Sequence, residues 1–261
     1  DLAQAATFLS GSGNDDHTFF TPGGVTAVEA KVALYQGNWS TAAAKAQQLV
    51  NSGDYALVAD LRDAFTADGD ASAEDILRLS FTATEWCSQG WWYRYDGRLE
   101  IGATWDIYNL YEAGDLRFDL NVDGTRNDGI QVVKWPTPIG AEDIRVIRYA
   151  DVILMLAEAL AEQNQLSDAV GYLNIILARA EVSEYDFSTD LSTQQEVLDA
   201  IYLERRLELA FEGERWHDLV RTGRAVEVLS FSGRFAPHEV LWPIPVGEMD
   251  TAPNLVQNPG Y

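Results

Sequence analysis

Apolar residues recur along this chain at two different spacings, and the spacing changes with position. After Thr21-Pro22-Gly23-Gly24, Val25, Val28, Val32 and Tyr35 follow at intervals of three and four, one face of a helix, and Gly37 closes the run. A second helix is predicted from Thr41 to Val50, with Ser40 as its N-cap and Asn51-Ser52-Gly53 as its stop. Helices joined by so short a link form an antiparallel hairpin. The hairpin has an echo. A shift of 127 residues sets Ala30 on Ala157, Gly37 on Asn164, Trp39 on Leu166 and Ala42 on Ala169. Ala46, Leu49 and Val50 then fall on Leu173, Ile176 and Leu177. Small residues where helices approach, a Gly or Asn turn and a large apolar residue after it make a tetratricopeptide-like unit. The alternative is two unrelated helical hairpins.

Between the hairpins the period shortens. Glu74 to Phe81 alternates apolar and polar residues like a half-buried strand. Asp119 to Trp135 reads as a β-hairpin turning at Asp123-Gly124 or Asp128-Gly129. Ile144 to Gln163 is predicted as a helix that is apolar nearly all round and hence buried. A polar loop over 181–194 precedes a charged amphipathic helix from Gln194 to Phe211 and a short one from Glu214 to Thr222. From Pro237 onward the chain is proline-rich without a helical period, an ordered tail that must pack on something. The expected organisation is one mainly α domain over 1–261. It comprises a first helical hairpin (1–53), a strand and loop region (54–143), a second hairpin with charged helices (144–236) and the tail (237–261).

Composition narrows the function. The 261 residues carry 18 Lys and Arg against 41 Asp and Glu, a formal net charge of −23. Such a field repels phosphate backbones and removes nucleic acid from the expected partners. With 47% hydrophobic residues the chain is not a disordered acidic tail. No apolar run approaches the ~20 residues that cross a bilayer. The single cysteine, Cys87, excludes an internal disulfide and a four-cysteine zinc site. Only Lys31, Lys45 and Lys134 are lysines, which suits either a protein facing salty water or an acidic extracytoplasmic one. Asp1-Leu-Ala-Gln-Ala-Ala has neither a basic nor an apolar leader region, so a targeting segment is expected to have been removed or the chain to be part of a longer one.

Catalytic chemistry finds little support. Glu208 with Glu212 and Glu214 with Asp218 offer carboxylate pairs, but Arg205, Arg206, Arg215 and Arg221 lie within reach, so these charges are expected to be structural ties. Arg148, Asp151, Glu158 and Arg179 sit on or beside the buried helix and need partners there. His17, His217 and His238 are far apart, Cys87 lacks a His partner, and no phosphate-binding glycine loop occurs, so no catalytic residue, metal or cofactor is expected. Asp119, Asn121, Asp123 and Gly124 copy the first half of a calcium loop, but Ile130 stands where the bidentate Glu belongs, and a hairpin turn is preferred. The stronger lead is aromatic. Residues 86–111 hold eight Trp and Tyr, among them Trp91-Trp92-Tyr93-Arg94-Tyr95 in a predicted loop between Gly90 and Gly97. Trp86, Trp91, Trp92, Tyr93, Tyr95 and Trp105 form the candidate ligand-binding set, the flat C–H faces of sugar rings being suited to stack on such side chains. The alternative is that they cover the core.

Three segments carry a resemblance. Ile147-Arg-Tyr-Ala-Asp-Val-Ile-Leu-Met-Leu-Ala-Glu-Ala159 is the first, and Glu204 to Gly223, with Glu-Arg-Arg-Leu-Glu-Leu-Ala-Phe-Glu-Gly at its head, the second. Leu241-Trp-Pro-Ile-Pro245 with Gln257-Asn-Pro-Gly-Tyr261 is the third. Together they resemble the C-terminal half of the SusD/RagB family of outer-membrane glycan-binding lipoproteins. Asp115-Leu116-Arg117 resembles a further family signature with Leu in place of Pro, and Leu177 stands where the family usually has Arg. The resemblance implies a SusD-like, tetratricopeptide-like fold and no enzymatic activity. It also implies capture of an oligosaccharide, or a peptide, for nutrient uptake through a SusC-like TonB-dependent transporter at the extracellular face of the outer membrane, with the family's lipid anchor not present in this chain. The alternative is a protein-interaction or self-association module on a shortened SusD-like scaffold.

Overall fold

In a computed structural model, every residue is described except 14, 67–70, 83, 126–128, 138, 141, 231, 232 and 234. Residues 1–212 form one compact unit and 213–261 another. The first opens with helices α1 (Leu2–Leu9), α2 (Pro22–Tyr35) and α3 (Trp39–Ser52), followed by strand β1 (Asp75–Leu79). Short helices α4 (Gln89–Tyr93), α5 (Trp105–Tyr108) and α6 (Phe118–Asn121) lead into strands β2 (Val122–Asp123), β3 (Gln131–Val132) and β4 (Ile144–Arg148). Helices α7 (Tyr149–Glu162), α8 (Leu166–Arg179) and α9 (Gln194–Glu208) complete it. The chain is mainly α, and its core lies among α2, α3, α7, α8 and α9.

The 127-residue echo is a structural repeat. Both bounds of α2 and of α3 return, shifted by that number, as those of α7 and α8. Gly37 and Asn164 take the same left-handed turn, at φ 68° and 61°. Each turn closes the same way: the N–H of Asn38 reaches Ala33 O at 2.8 Å, and that of Gln165 reaches Leu160 O at 2.9 Å. Ala30, Ala42, Ala157 and Ala169 are fully buried, letting the helices approach closely. The N-cap of α3 is Asn38, whose side chain accepts from Thr41 N–H at 3.3 Å, rather than Ser40. Ser40 is instead already inside the first helical turn.

The predicted helix from Ile144 is corrected at its start. Ile144–Arg148 is a strand, antiparallel to β1 with Leu79 opposite Ile144 and Leu77 opposite Ile147. Ile144, Val146 and Ile147 are β-branched and stiff at χ1, so they fit a pleat, and helix begins only at Tyr149. Pairing Val122 with Val132 confirms a hairpin within 119–135, although the helical turn α6 occupies its first residues. The alternative Asp128-Gly129 turn includes position 128, outside the described residues.

Strand β4 and helix α9 deliver charge into the interior. Buried Arg148 reaches Glu74 at 2.9 Å, Glu208 at 2.7 Å and Glu212 at 2.7 Å. Arg179 bridges Glu74, at 2.5 Å, and Glu208. Lys134, fully buried, reaches Glu212 at 2.7 Å and the carbonyl of Ala210 at 2.9 Å. Arg117 takes Asp115 through two contacts, at 2.8 and 2.9 Å, and pairs with Glu204. The expected ties therefore exist, most of them across elements: Arg205 goes to Asp151 on α7 at 2.9 Å and Arg206 to Asp106, whereas Arg221 holds Asp218 one turn away along its own helix at 2.7 Å. Burial dominates the balance at Glu204 and, with Glu208 and Asp115 nearby, pushes it up to about 7 despite Arg117. Burial would raise Glu208 too, but Arg179, Arg148 and Arg117 together hold it well below the carboxylate range. Asp151, equally buried, is brought down to about 2 by Lys31 and Arg205.

The second unit contains α10 (Glu214–Arg221), α11 (Ala225–Leu229) and α12 (Val246–Thr251), with a 3-10 turn at Pro237–Val240. The tail thus includes helix where no helical period was visible, because six residues after Pro245 are too few to display one. Its two motif segments clasp each other. The Gln257 side chain accepts from Ile244 N–H at 2.8 Å and donates to Ile244 O at 2.9 Å. Asn258 donates to Trp242 O at 2.7 Å and the Tyr261 hydroxyl to Leu241 O at 2.9 Å. Gly260, at φ 101°, leaves no room for a Cβ, which would lie 2.5 Å from the His238 ring. No helix of the described residues is long and apolar enough to cross a membrane.

Two outcomes follow for chemical denaturation. Gly37→Ala should cost about 1 kcal/mol, because a Cβ there meets only ordinary contact with Trp39 at 3.7 Å and the loss is conformational. Glu204 keeps its proton in the fold where the unfolded chain has lost it. Its contribution is therefore full below its ordinary value of 4.5 and is lost as pH rises through about 7. Glu204→Gln should remove that decline; a decline that persists in the variant would assign it to another group.

Candidate functional site

The aromatic cluster is built on a turn of helix that folds back on itself. Trp91, Trp92 and Tyr93 lie on α4 and not in a loop, since Ser88 O accepts from Trp92 N–H at 3.3 Å and Gly90 O from Arg94 N–H at 3.0 Å. The chain then reverses. Gly97 N–H reaches Arg94 O at 3.1 Å, Arg98 N–H reaches Trp91 O at 2.7 Å and Ile101 N–H reaches Trp92 O at 3.1 Å. A Cβ on Gly97 would stand 2.4 Å from Trp91 O, so this close return needs glycine. The reversal sets the Arg98 guanidinium 5.5 Å from the centroid of the Trp92 ring. Tyr95 fastens the turn to β3, its N–H meeting Gln131 Oε1 at 3.1 Å and its hydroxyl bonding Gly129 O. Cys87 N–H holds the other end on Gly140 O at 2.9 Å.

The six candidate residues divide by position. Trp86 and Trp105 are 43% and 59% exposed, while Trp91, Trp92, Tyr93 and Tyr95 are partly buried. Tyr93 lies 6.2 Å from the Phe211 ring, and burial pushes its hydroxyl pKa up. Trp105 begins a second aromatic string: its ring meets Tyr108 at 5.2 Å, Tyr108 meets Phe118 at 4.9 Å and Phe118 meets Tyr111 at 5.8 Å. Ala103 N–H, bonded to Ile130 O at 2.9 Å, ties this string to the residue just before β3. Polar groups accompany the rings. Arg94 takes Asp96 bidentately at 2.9 and 3.1 Å, which holds the Asp96 carboxyl below its ordinary range, and Arg98 pairs with Glu100. Arg98, Gln131 and Phe118 were not among the sequence candidates. Nothing in the residue spacing signals them, because the reversal at Gly97 and the pairing of β3 bring them in.

The arrangement can stack rings and hydrogen-bond hydroxyls. The carboxylates paired in the sequence are engaged elsewhere: Glu208 and Glu212 are buried and held by arginines, and Asp218 is held by Arg221 at 2.7 Å. The side chains of the calcium-loop-like segment serve the preferred hairpin. Asn121 is buried and donates to Tyr111 Oη at 2.8 Å, and Asp123 accepts from Thr125 N–H at 2.9 Å and from Gln131 at 2.8 Å. Among the described residues no group of three or more His, Cys, Asp or Glu is arranged to hold a metal ion. Cys87 is buried, and burial pushes its thiol pKa up, away from nucleophilic reactivity.

The chain's likeness to known proteins agrees with this architecture. The sequence profile of the SusD family matches residues 31–236. SusD-like protein P38 of Formosa agariphila is 31% identical over 172 residues, covering 62% of this chain and 33% of that protein. The crystal structure of a SusD superfamily protein from Bacteroides vulgatus superposes with a TM-score of 0.83 at 25% identity, over 100% of this chain and 66% of its own. A laminarin-binding SusD-like protein gives 0.77 at 27% identity, over 100% of this chain and 68% of its own. The chain thus spans between a third and about two thirds of the length of these relatives. With most of its length matched, and with the repeated hairpins and the clasped tail in place, this protein belongs to the SusD family.

Proposed function

We propose that the chain binds a neutral oligosaccharide through the indoles of Trp86, Trp91, Trp92 and Trp105, with Tyr93 and Tyr95 fixing the turn that presents them. The observation that carries this reading is the exposure of Trp86 and Trp105, 43% and 59%, beside a helical turn whose return loop brings Arg98 onto Trp92. Large indoles left in water are costly unless a partner covers them. Asp96, Arg98 and Glu100 supply acceptors and donors for sugar hydroxyls around the rings. The net charge of −23 disfavours anionic glycans and leaves neutral ones. Family membership and the relative that binds laminarin support carbohydrate as the ligand class.

In the same reading the protein makes and breaks no bond. It works at the extracellular face of the outer membrane as part of a lipoprotein and passes its ligand to a SusC-like TonB-dependent transporter for nutrient uptake. Affinity electrophoresis against a panel of neutral polysaccharides that includes laminarin tests the site. Trp92→Ala and Trp105→Ala should each weaken retention by the retained glycan about tenfold, the effect of losing one good ring contact, with circular dichroism unchanged. Unaltered retention in the combined variant would place the ligand elsewhere.

A further inference from the structure

The motif segments Glu204–Gly223, Leu241–Pro245 and Gln257–Tyr261 contribute residues to one cavity of the second unit, about 450 Å3 in volume, within the range of small-molecule sites. Four of the lining residues are aromatic. Trp216 comes from α10 and meets Phe235 edge to face, at 6.0 Å and 76°. Trp242 is 75% exposed, and Tyr261 is held by its hydroxyl on Leu241 O at 2.9 Å. Glu239 is the one charged residue among the described lining residues. Its Oε2 receives the N–H of Ala236 at the start of the 3-10 turn, so the carboxylate is fixed in place.

Aromatic faces carry negative potential, and a carboxylate adds to it. The second unit carries six Asp and Glu against four Arg, so its own field is weakly negative and favours cations over anions. A neutral apolar ligand would gain nothing from Glu239, whereas a cation gains from the rings, the carboxylate and the field together. We propose that this cavity binds an organic cation, an ammonium group seated among Trp216, Phe235, Trp242 and Tyr261 with Glu239 as its counter-charge. The inference shares no residue with the glycan site and stands or falls apart from it.

Choline and its uncharged carbon isostere, dimethylbutanol, separate charge from shape in calorimetric and saturation-transfer NMR titrations of the full chain. Choline should bind at least about tenfold more tightly than the isostere, and more weakly at high salt. Trp242→Ala should weaken choline about tenfold. Glu239→Gln should weaken it several-fold at unchanged Tm, since Gln can still accept from Ala236 N–H. Glucosamine competing for choline would name an amine-bearing sugar as the source of the cation, and N-acetyl-lysinamide competing would name a basic side chain; either supports the cage. Equal binding of choline and the isostere, no binding of choline, or choline affinity unmoved in both variants would overturn the proposal.

Discussion

Arg148 is the group on which the first unit depends. One fully buried guanidinium satisfies Glu74 just before β1, Glu208 at the end of α9 and Glu212 four residues beyond it. Taking these charges out of water costs several kcal/mol per ion, and only their mutual attraction and full hydrogen bonding offset it. The arrangement is therefore intolerant: with Arg148 gone, three carboxylates would face the interior with only Arg179, Lys134 and the more distant Arg117, 3.4 Å from Glu208, to answer them. In proteins generally, replacing a buried ion network by an apolar core of equal volume is often neutral or stabilising. What this network does is fix which elements meet, since a charge misplaced by one residue has no partner.

That constraint reaches the aromatic site through two short pieces of chain. Strand β3 begins at Gln131, which holds Tyr95, and three residues later Lys134 holds Glu212. Arg117 enters the network with Glu204 and Asp115, and the next residue, Phe118, packs on Tyr108 and Tyr111 in the string that starts at Trp105. Asp106, beside Trp105, is tied to α9 by Arg206. The first two links couple a buried charge to a ring within a few residues, and the third is a tie at the surface. The exposed indoles thus stand on a framework whose order is set by ion pairing in the core.

The parts of this structure legible in the sequence are those governed by local spacing. The hairpin repeat could be read because Ala30 and Ala157, or Gly37 and Asn164, perform one steric task at a fixed interval. Strand β4 was hidden because Ile144, Val146 and Ile147 satisfy a helical spacing as well as a pleat, and only pairing with β1 decides between them. The turn α4 was hidden by its brevity, and its shape depends on Gly97 meeting Trp91 after a reversal that no period encodes. That the charges of α9 would be paired was foreseeable from their number; that Glu204 would find Arg117, and Arg205 would find Asp151, is a property of three-dimensional packing. The closing Gln257-Asn258-Pro-Gly-Tyr261 could be recognised as a signature, but its chemistry, side chains hydrogen-bonded to the backbone of Leu241–Ile244, emerges only from the fold.

The most direct test of the account is hydrogen–deuterium exchange of the full chain with and without a saturating laminarin oligosaccharide, or whichever neutral glycan it retains. The account predicts new protection of backbone amides over residues 86–108, with the amides of α7 and α9 already protected and unchanged. Protection confined to other segments, with 86–108 exchanging as in the free protein, would contradict it.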